Sequence, residues 1–460
     1  QMCIRDRPRR WQYCPLNPDS LKMFREMASE VMEIHADAKF FHAGADETFF
    51  LGQCPRCKEY VAKHGLSALF VDYMNKVGSI ITAKGKIPIL WYDYLTNVPK
   101  DTPNLSRDFW IMYWEYRMGS RSVPFVRWAG LELSGRELLD EVPQYVLDTF
   151  RKYWDDGGFP DQIRGFPYIR YFRDLGFNVL GAARYQGDWR IRVPNTMAFC
   201  EALVEDDGQG IVNTHWPGKG IYPLFYGGSE PLEVSWLPIA ATAESAWSAG
   251  RVSRERFDSK FAIVFLGSPA DSLIRSAYQM GGIINTDTAQ EVQIRANQCV
   301  QAAEKVKQSV RFNHLFLEYL QWSGKIRASL AKRTRILKQI EDEILSHFPP
   351  GAFSQWIAAE VPLWTGYLAP SAVPEGLDKA GINLHKIEDA IEQLAQIRDE
   401  TRELAQESEK ILEKVICKDD VNVLIENFLK SASKIEEYLG KLGVVRTCLR
   451  AMDYFKKNFC

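Results

Sequence analysis

Strand-like and helix-like segments alternate through the first 270 residues, and polar or aromatic side chains recur where each strand gives way to its loop. The last third is different: no proline occurs from Thr288 to His347, and charged residues interleave with apolar ones. Together these features predict an α/β chain, a (β/α)8 TIM-type barrel on a parallel sheet followed by an α-helical domain.

The elements follow in order. Pro18-Asp19-Ser20 opens a helix whose Leu21, Phe24, Met27, Ala28, Val31 and Met32 recur at helical spacing. Phe40 to Ala45 reads as a short buried strand ending at Asp46-Glu47. A second helix carries Leu66, Leu69, Phe70, Tyr73, Met74, Val77, Ile80 and Ile81. The strand Ile87 to Tyr92 ends at Asp93, and three further strands run over 109–114, 178–182 and 210–216. A longer insertion with the turn-rich Asp155-Asp156-Gly157-Gly158 occupies about 117–175. The strand tips carry Asp46, Asp93, Trp114, Tyr185 and Trp216, and function at the C-terminal ends of parallel strands is the barrel signature.

The helical domain is expected over 271–460, after a barrel over 1–270. One helical stretch runs to Pro349-Pro350, and residues 349–383, with five prolines, read as a folded-back connector. Leu384, Ile387, Ile391 and Leu394 start a helix that continues to about Ile416, and a final helix covers 421–459. A coiled coil is a short-lived alternative, because Arg398 and Thr401 break the heptad.

Composition narrows the function classes. Of 460 residues, 46% are hydrophobic and 25% charged, which suits a folded globular chain and excludes disorder as the main theme. Fifty-seven Lys and Arg balance 59 Asp and Glu to a net charge of −2, so nothing global attracts nucleic acid or an anionic membrane. No apolar run approaches the roughly 20 residues of a membrane span. Neither nucleic acid nor membrane is therefore an expected partner. The 13 Trp and 19 Tyr hint at carbohydrate, since sugar faces stack on flat rings, although aromatics also fill cores. Nine Cys in so long a chain point to a reducing, cytoplasmic setting rather than a disulfide scaffold. The chain opens Gln1-Met2-Cys3, without an initiator Met at position 1, so an incomplete N-terminus is expected.

The most informative segment is His42-Ala43-Gly44-Ala45-Asp46-Glu47. Alternation along a strand puts His42, Gly44 and Asp46 on one face, suited to a barrel interior, and Phe41, Ala43 and Ala45 on the other, suited to packing against helices. Adjacent carboxylates repel each other unless donors or a ligand use them, so the alternative to a site here is a solvated acidic loop. Trp91 and Asp93 share a strand parity, as do Trp114 and Tyr116, so each pair can point inward together.

Cys54-Pro55-Arg56-Cys57 has metal-ligand spacing, but tetrahedral zinc needs four ligands. Cys14 and His64 are further donors that nothing in the sequence places nearby, and packed thiols without a metal are the expectation. No GxGxxG or GxxxxGK[ST] phosphate loop is present.

The pattern His-x-Gly-(Gly/Ala)-Asp-Glu, complete at 42, 44, 45, 46 and 47, resembles the signature of family 20 glycoside hydrolases, the β-N-acetylhexosaminidases. Cys14-Pro15-Leu16-Asn17-Pro18 and Leu51-Gly52-Gln53-Cys54-Pro55-Arg56-Cys57 look like the branch related to hexosaminidase D, and the resemblance covers roughly residues 12–267. It implies exo-acting, retaining hydrolysis of terminal β-linked N-acetylglucosamine or N-acetylgalactosamine, in which the sugar's acetamido oxygen is the nucleophile. Glu47 is then the general acid and later base, and Asp46 holds the acetamido N–H. Trp91, Trp114 and Trp216 become pocket tryptophans, Tyr116 and Tyr185 compete to orient the acetamido carbonyl, and His42 and Asp93 join the substrate site. No metal or organic cofactor is needed, because the substrate supplies the nucleophile. The resemblance also makes the Asp46-Glu47 strand the fourth of eight, so the five strand-like segments count as strands 4–8 of an N-terminally incomplete barrel. Two rivals remain: a barrel glycosidase for a sugar without an acetamido group, and a non-catalytic sugar-binding or scaffold protein.

Overall fold

Five parallel strands, β1 (Phe40–His42), β2 (Ile87–Trp91), β3 (Trp110–Trp114), β8 (Asn178–Arg184) and β9 (Gly210–Thr214), form one sheet in that spatial order. The excursion between β3 and β8 holds two small antiparallel pairs. Strand β4 (Ser122–Val123) pairs with β7 (Ile163–Arg164), and β5 (Val126–Trp128) pairs with β6 (Leu131–Leu133). The computed structural model describes residues 12–216, 235–282, 284–348, 381–414, 418–430 and 432–459. The five expected strands are all present with slightly different ends. Most of the expected 349–383 connector lies outside the described residues.

The chain divides into two compact units. The first comprises Gln1–Tyr185, Trp189–Trp216 and Leu237–Ser253; the second comprises Gln186–Asp188, Pro217–Trp236 and Arg254–Cys460. The 270/271 boundary expected from the sequence falls inside the second.

In the first unit the helices are α1 (Pro18–Ile34), α2 (Pro55–His64), α3 (Leu66–Thr82), α4 (Asp93–Asn97), α5 (Gly135–Glu141), α6 (Gln144–Trp154), α7 (Pro167–Asp174), α8 (Trp189–Glu205) and most of α9 (Trp236–Trp247). Their ends follow local chemistry. Asn17 caps α1, its side-chain oxygen accepting from the Asp19 N–H at 3.2 Å, with Pro18 as first helical residue. Ser134 and Glu137 close a capping box on α5.

Strand parity sorts the core. Leu90, Ile111, Tyr113 and Val179 point to the helices and join the main hydrophobic core with Phe109, Phe150, Tyr168 and Phe199. Ile89, Trp91, Met112 and Ala182 point the other way and form a small separate cluster on the inner face. Among the described residues β1 and β9 each pair with one strand only, and Phe40 and Val212 on these edges stay 41% and 39% exposed. The sheet is thus a half-barrel whose outer face is well covered and whose inner face is not.

The second unit is helical: α10 (Arg254–Phe261), α11 (Asp271–Gln279), α12 (Ala289–Val306), α13 (His314–Glu343), α14 (Leu384–Leu412), α15 (Lys418–Lys430) and α16 (Ser433–Phe459). The helical stretch expected over 288–347 consists of two helices packed on each other. Asn313 adopts a left-handed conformation (φ 54°), and its side-chain amide donates to the Phe265 carbonyl at 2.6 Å. The Arg311 N–H also bonds the Leu266 carbonyl at 2.8 Å. Apolar periodicity cannot separate a straight helix from a hairpin when tertiary bonds make the turn. The expected final helix is likewise divided, into α15 and α16. Ile340, Leu394, Ile397, Ile435 and Leu442 knit α13, α14 and α16 together. No helix among the described residues is long and apolar enough to cross a membrane.

Where β8 meets α8 the fit is tight. A Cβ on Gly181 would lie 2.8 Å from Leu203 Cδ1 and 2.9 Å from Phe199 Cε2, and the Phe199 ring is already stacked on Phe166 at 4.4 Å. Gly181→Ala is expected to destabilise the protein by about 1–3 kcal/mol through overpacking. Urea unfolding followed by tryptophan fluorescence checks this, and an unchanged midpoint contradicts it.

Candidate active site

The hexapeptide at the tip of β1 leaves the strand early. Pairing continues past His42, with the Ala43 N–H bonded to the Ile89 carbonyl at 2.8 Å and the Trp91 N–H to the Gly44 carbonyl at 3.2 Å. Phe41, Ala43 and Ala45 pack against the main core, as alternation predicts. Beyond that point the pleat ends: Gly44, Ala45 and Glu47 adopt φ of 74°, 73° and 50°. Two non-glycine residues in the left-handed region so close together mark a constrained turn. The single inner face expected for His42, Gly44 and Asp46 therefore holds only for the first part, because these left-handed residues redirect the chain before Asp46. Asp46 and Glu47 are both exposed at the strand end.

Asp93, the first residue of α4, fastens this turn. One carboxylate oxygen accepts from the Glu47 backbone N–H at 2.8 Å, and the other accepts from the Trp114 indole N–H at 3.3 Å. One side chain thereby ties together the ends of β1, β2 and β3. Burial is the main influence on its acidity and pushes the carboxyl from 3.8 up to about 6; the two N–H donors oppose this, and the nearby charge of Asp46 adds to it.

An aromatic group continues from there. Trp114 stacks on Tyr116 at 5.4 Å with 23° between planes, and the Tyr116 hydroxyl accepts from the Trp216 indole N–H at 2.9 Å. Trp216 lies 6.0 Å from Trp91, which lies 4.4 Å from the His42 ring. His42 Nδ1 accepts from the Gly44 N–H at 3.0 Å, which assigns the proton of a neutral ring to Nε2. Burial lowers the His42 pKa to about 4, so the ring is neutral at pH 7, and among the described residues its buried Nε2 has no hydrogen-bond partner. The structure thus brings His42, Trp91, Asp93, Trp114, Tyr116 and Trp216 into one connected set beside Asp46 and Glu47. The Tyr185 ring lies 5.1 Å from His215 at the ends of β8 and β9.

Sequence reasoning missed Glu115. It is fully buried, its Oε1 accepts from the N–H groups of Tyr116 and Arg117 at 2.9 and 2.8 Å, and burial raises its pKa. It thus braces the turn that presents Tyr116. The signal was parity: Glu115 shares its face with Ile111 and Tyr113, so a carboxylate aims at the helix-packed core. Two surface clefts, of about 460 and 430 Å3, lie elsewhere. The first is a trough of ion pairs such as Arg164–Asp206, and neither is lined by a strand-end residue of the set above.

Residues 1–124 match the model of the Glycosyl hydrolase family 20 catalytic domain. They are thus similar to family 20 catalytic domains, and about a third of the chain is similar to hexosaminidase D. The chain is 29% identical to Hexosaminidase D of Bos taurus over 154 residues, which are 31% of this chain and 41% of that protein. It is 30% identical to Hexosaminidase D of Homo sapiens over 159 residues, 32% of this chain and 29% of that protein. The chain thus spans well under half the length of either relative. A crystal structure of Dispersin B overlaps 54% of this chain and 64% of its own at 14% identity and a TM-score of 0.30, too loosely to carry weight. The family 20 match contains His42, the acid pair, Trp91, Asp93, Trp114 and Tyr116; Tyr185 and Trp216 lie beyond it.

The Asp93 pKa, higher folded than in an unfolded chain, has a sign that can be read out. Between about pH 4 and pH 6 the folded state holds the extra proton, so this group's contribution to stability falls as pH rises through that window. In the wild type the Trp114 indole N–H resonance is expected to titrate with a midpoint near 6, and this step is expected to vanish in Asp93→Asn. A midpoint near 4 contradicts the burial argument.

Proposed function

We propose that the protein is an exo-acting β-N-acetylhexosaminidase that releases terminal β-linked N-acetylglucosamine or N-acetylgalactosamine from a glycan or glycoside. On this reading the five parallel strands are strands 4–8 of a (β/α)8 barrel, since the family's acid pair ends the fourth. The observation that carries the proposal is the anchoring of the Asp46-Glu47 turn by Asp93, which at once holds the Trp114 indole.

The chemistry follows from adjacent carboxylates. They are too close together to act as the separated acid and nucleophile of an ordinary retaining glycosidase, so the substrate's own acetamido oxygen attacks the anomeric carbon. Glu47 gives its proton to the leaving glycosidic oxygen, then takes one from the water that opens the oxazolinium intermediate. Asp46 accepts the acetamido N–H and offsets the positive charge that develops. Trp91, Trp114 and Trp216 supply flat apolar walls for the acetamido methyl, and the Tyr116 hydroxyl orients the acetamido carbonyl; Tyr185, beside His215, is the second candidate for that role. The neutral His42 ring offers its Nε2–H to a sugar hydroxyl. A reducing, cytoplasmic setting is part of the reading and rests on cysteine usage.

The test is hydrolysis of a chromogenic aryl N-acetyl-β-glucosaminide beside the plain β-glucoside. Wild-type protein is expected to cleave only the first, and Glu47→Gln to lose at least about 10²-fold in kcat. Normal turnover by the variant, or equal cleavage of both glycosides, refutes the assignment.

A further inference from the structure

Cys14, Cys54 and Cys57 meet in one buried cluster. Cys14 Sγ lies 3.5 Å from Cys54 Sγ and 3.4 Å from Cys57 Sγ, and all three sulfurs fall within 4.8 Å of one another. All three are almost wholly buried. A tetrahedral zinc site with Zn–S bonds of ~2.3 Å has sulfur–sulfur edges of roughly 3.8 Å, so only small shifts separate this triangle from one face of such a site. A disulfide would need ~2.05 Å.

The backbone suits thiolates as well. Cys54 is the N-cap of α2, and its sulfur accepts from the Cys57 N–H at 3.4 Å, so this one sulfur sits where helix N–H groups favour negative charge. Leu69 is buried in the same cluster, and Leu16, Leu51 and Leu66 pack against it.

We propose that Cys14, Cys54 and Cys57 bind a thiophilic divalent cation of the zinc class. On binding, three S–H protons pass to solvent as three metal–sulfur bonds form, and a further donor completes the tetrahedron. The role is structural. Cys14 stands just ahead of α1 and the pair at 54 and 57 closes the loop that leaves Glu47, while the Phe50 N–H already bonds the Gln12 side chain at 2.8 Å. The ion clamps the far end of the loop that starts at Asp46 and Glu47, which revises the expectation of metal-free packed thiols.

The experiment is metal analysis of protein expressed with zinc and purified under reducing conditions, together with cobalt(II) substitution. Wild type is expected to hold about one zinc per chain and to show thiolate-to-cobalt charge-transfer bands. Cys14→Ser and Cys57→Ser are expected to lose most of both, whereas Cys200→Ser, buried elsewhere in α8, keeps them. Should the cluster variants fail to fold, stepwise mercurial titration of wild type decides instead: zinc released in proportion to thiols modified supports the site. A folded wild type with neither zinc nor cobalt–thiolate bands overturns it, whatever the glycosidase assay shows.

Discussion

Asp93 is the hinge of this architecture. Its carboxylate is shared between the backbone of Glu47 and the indole of Trp114, so three strand ends are held by one half-buried group. Parallel strands bring their C-terminal ends to one rim, but a rim alone does not orient side chains. Two hydrogen bonds to a desolvated carboxylate do, because each is stronger away from water and breaking either leaves a buried group unsatisfied. Burial raises the carboxyl to about 6 while the N–H donors hold it down, so its acidity measures how well the turn is assembled.

The aromatic residues extend that order outward. Trp114 is fixed by Asp93 and stacks on Tyr116, whose hydroxyl receives the indole N–H of Trp216. Behind them Glu115 uses a buried carboxylate to hold the two N–H groups of the turn after β3. Such braced side chains are pre-organised, and a pre-organised polar site stabilises developing charge without rearranging during reaction. The left-handed residues Ala45 and Glu47 fit this account, since strained backbone persists where its surroundings over-determine it.

Much of this was legible from residue types and spacing. Period-two alternation located the inner and outer faces of β2 and β3, and the strand-tip rule singled out Asp93, Trp114 and Trp216 before any coordinates. The turn at Asp46 was not legible, because pleat parity fails once Gly44 and Ala45 become left-handed. The hairpin between α12 and α13 was missed for a related reason: its turn depends on carbonyls of Phe265 and Leu266, far away in sequence. Cys14 was the least legible of all. Forty residues separate it from Cys54, and only the packing of α1, α2 and α3 brings the sulfurs together. Local patterns report local geometry, and long-range contacts have to be observed.

The central claim is that these strand ends form one pocket for an acetamido sugar. The most direct measurement is a crystal structure with a thiazoline mimic of the cyclised sugar. The account predicts the thiazoline ring held against Trp114, its nitrogen facing Asp46 and the Glu47 carboxyl beside the anomeric carbon. A mimic bound away from the β1–β3 rim, or in contact with neither carboxylate, would contradict it.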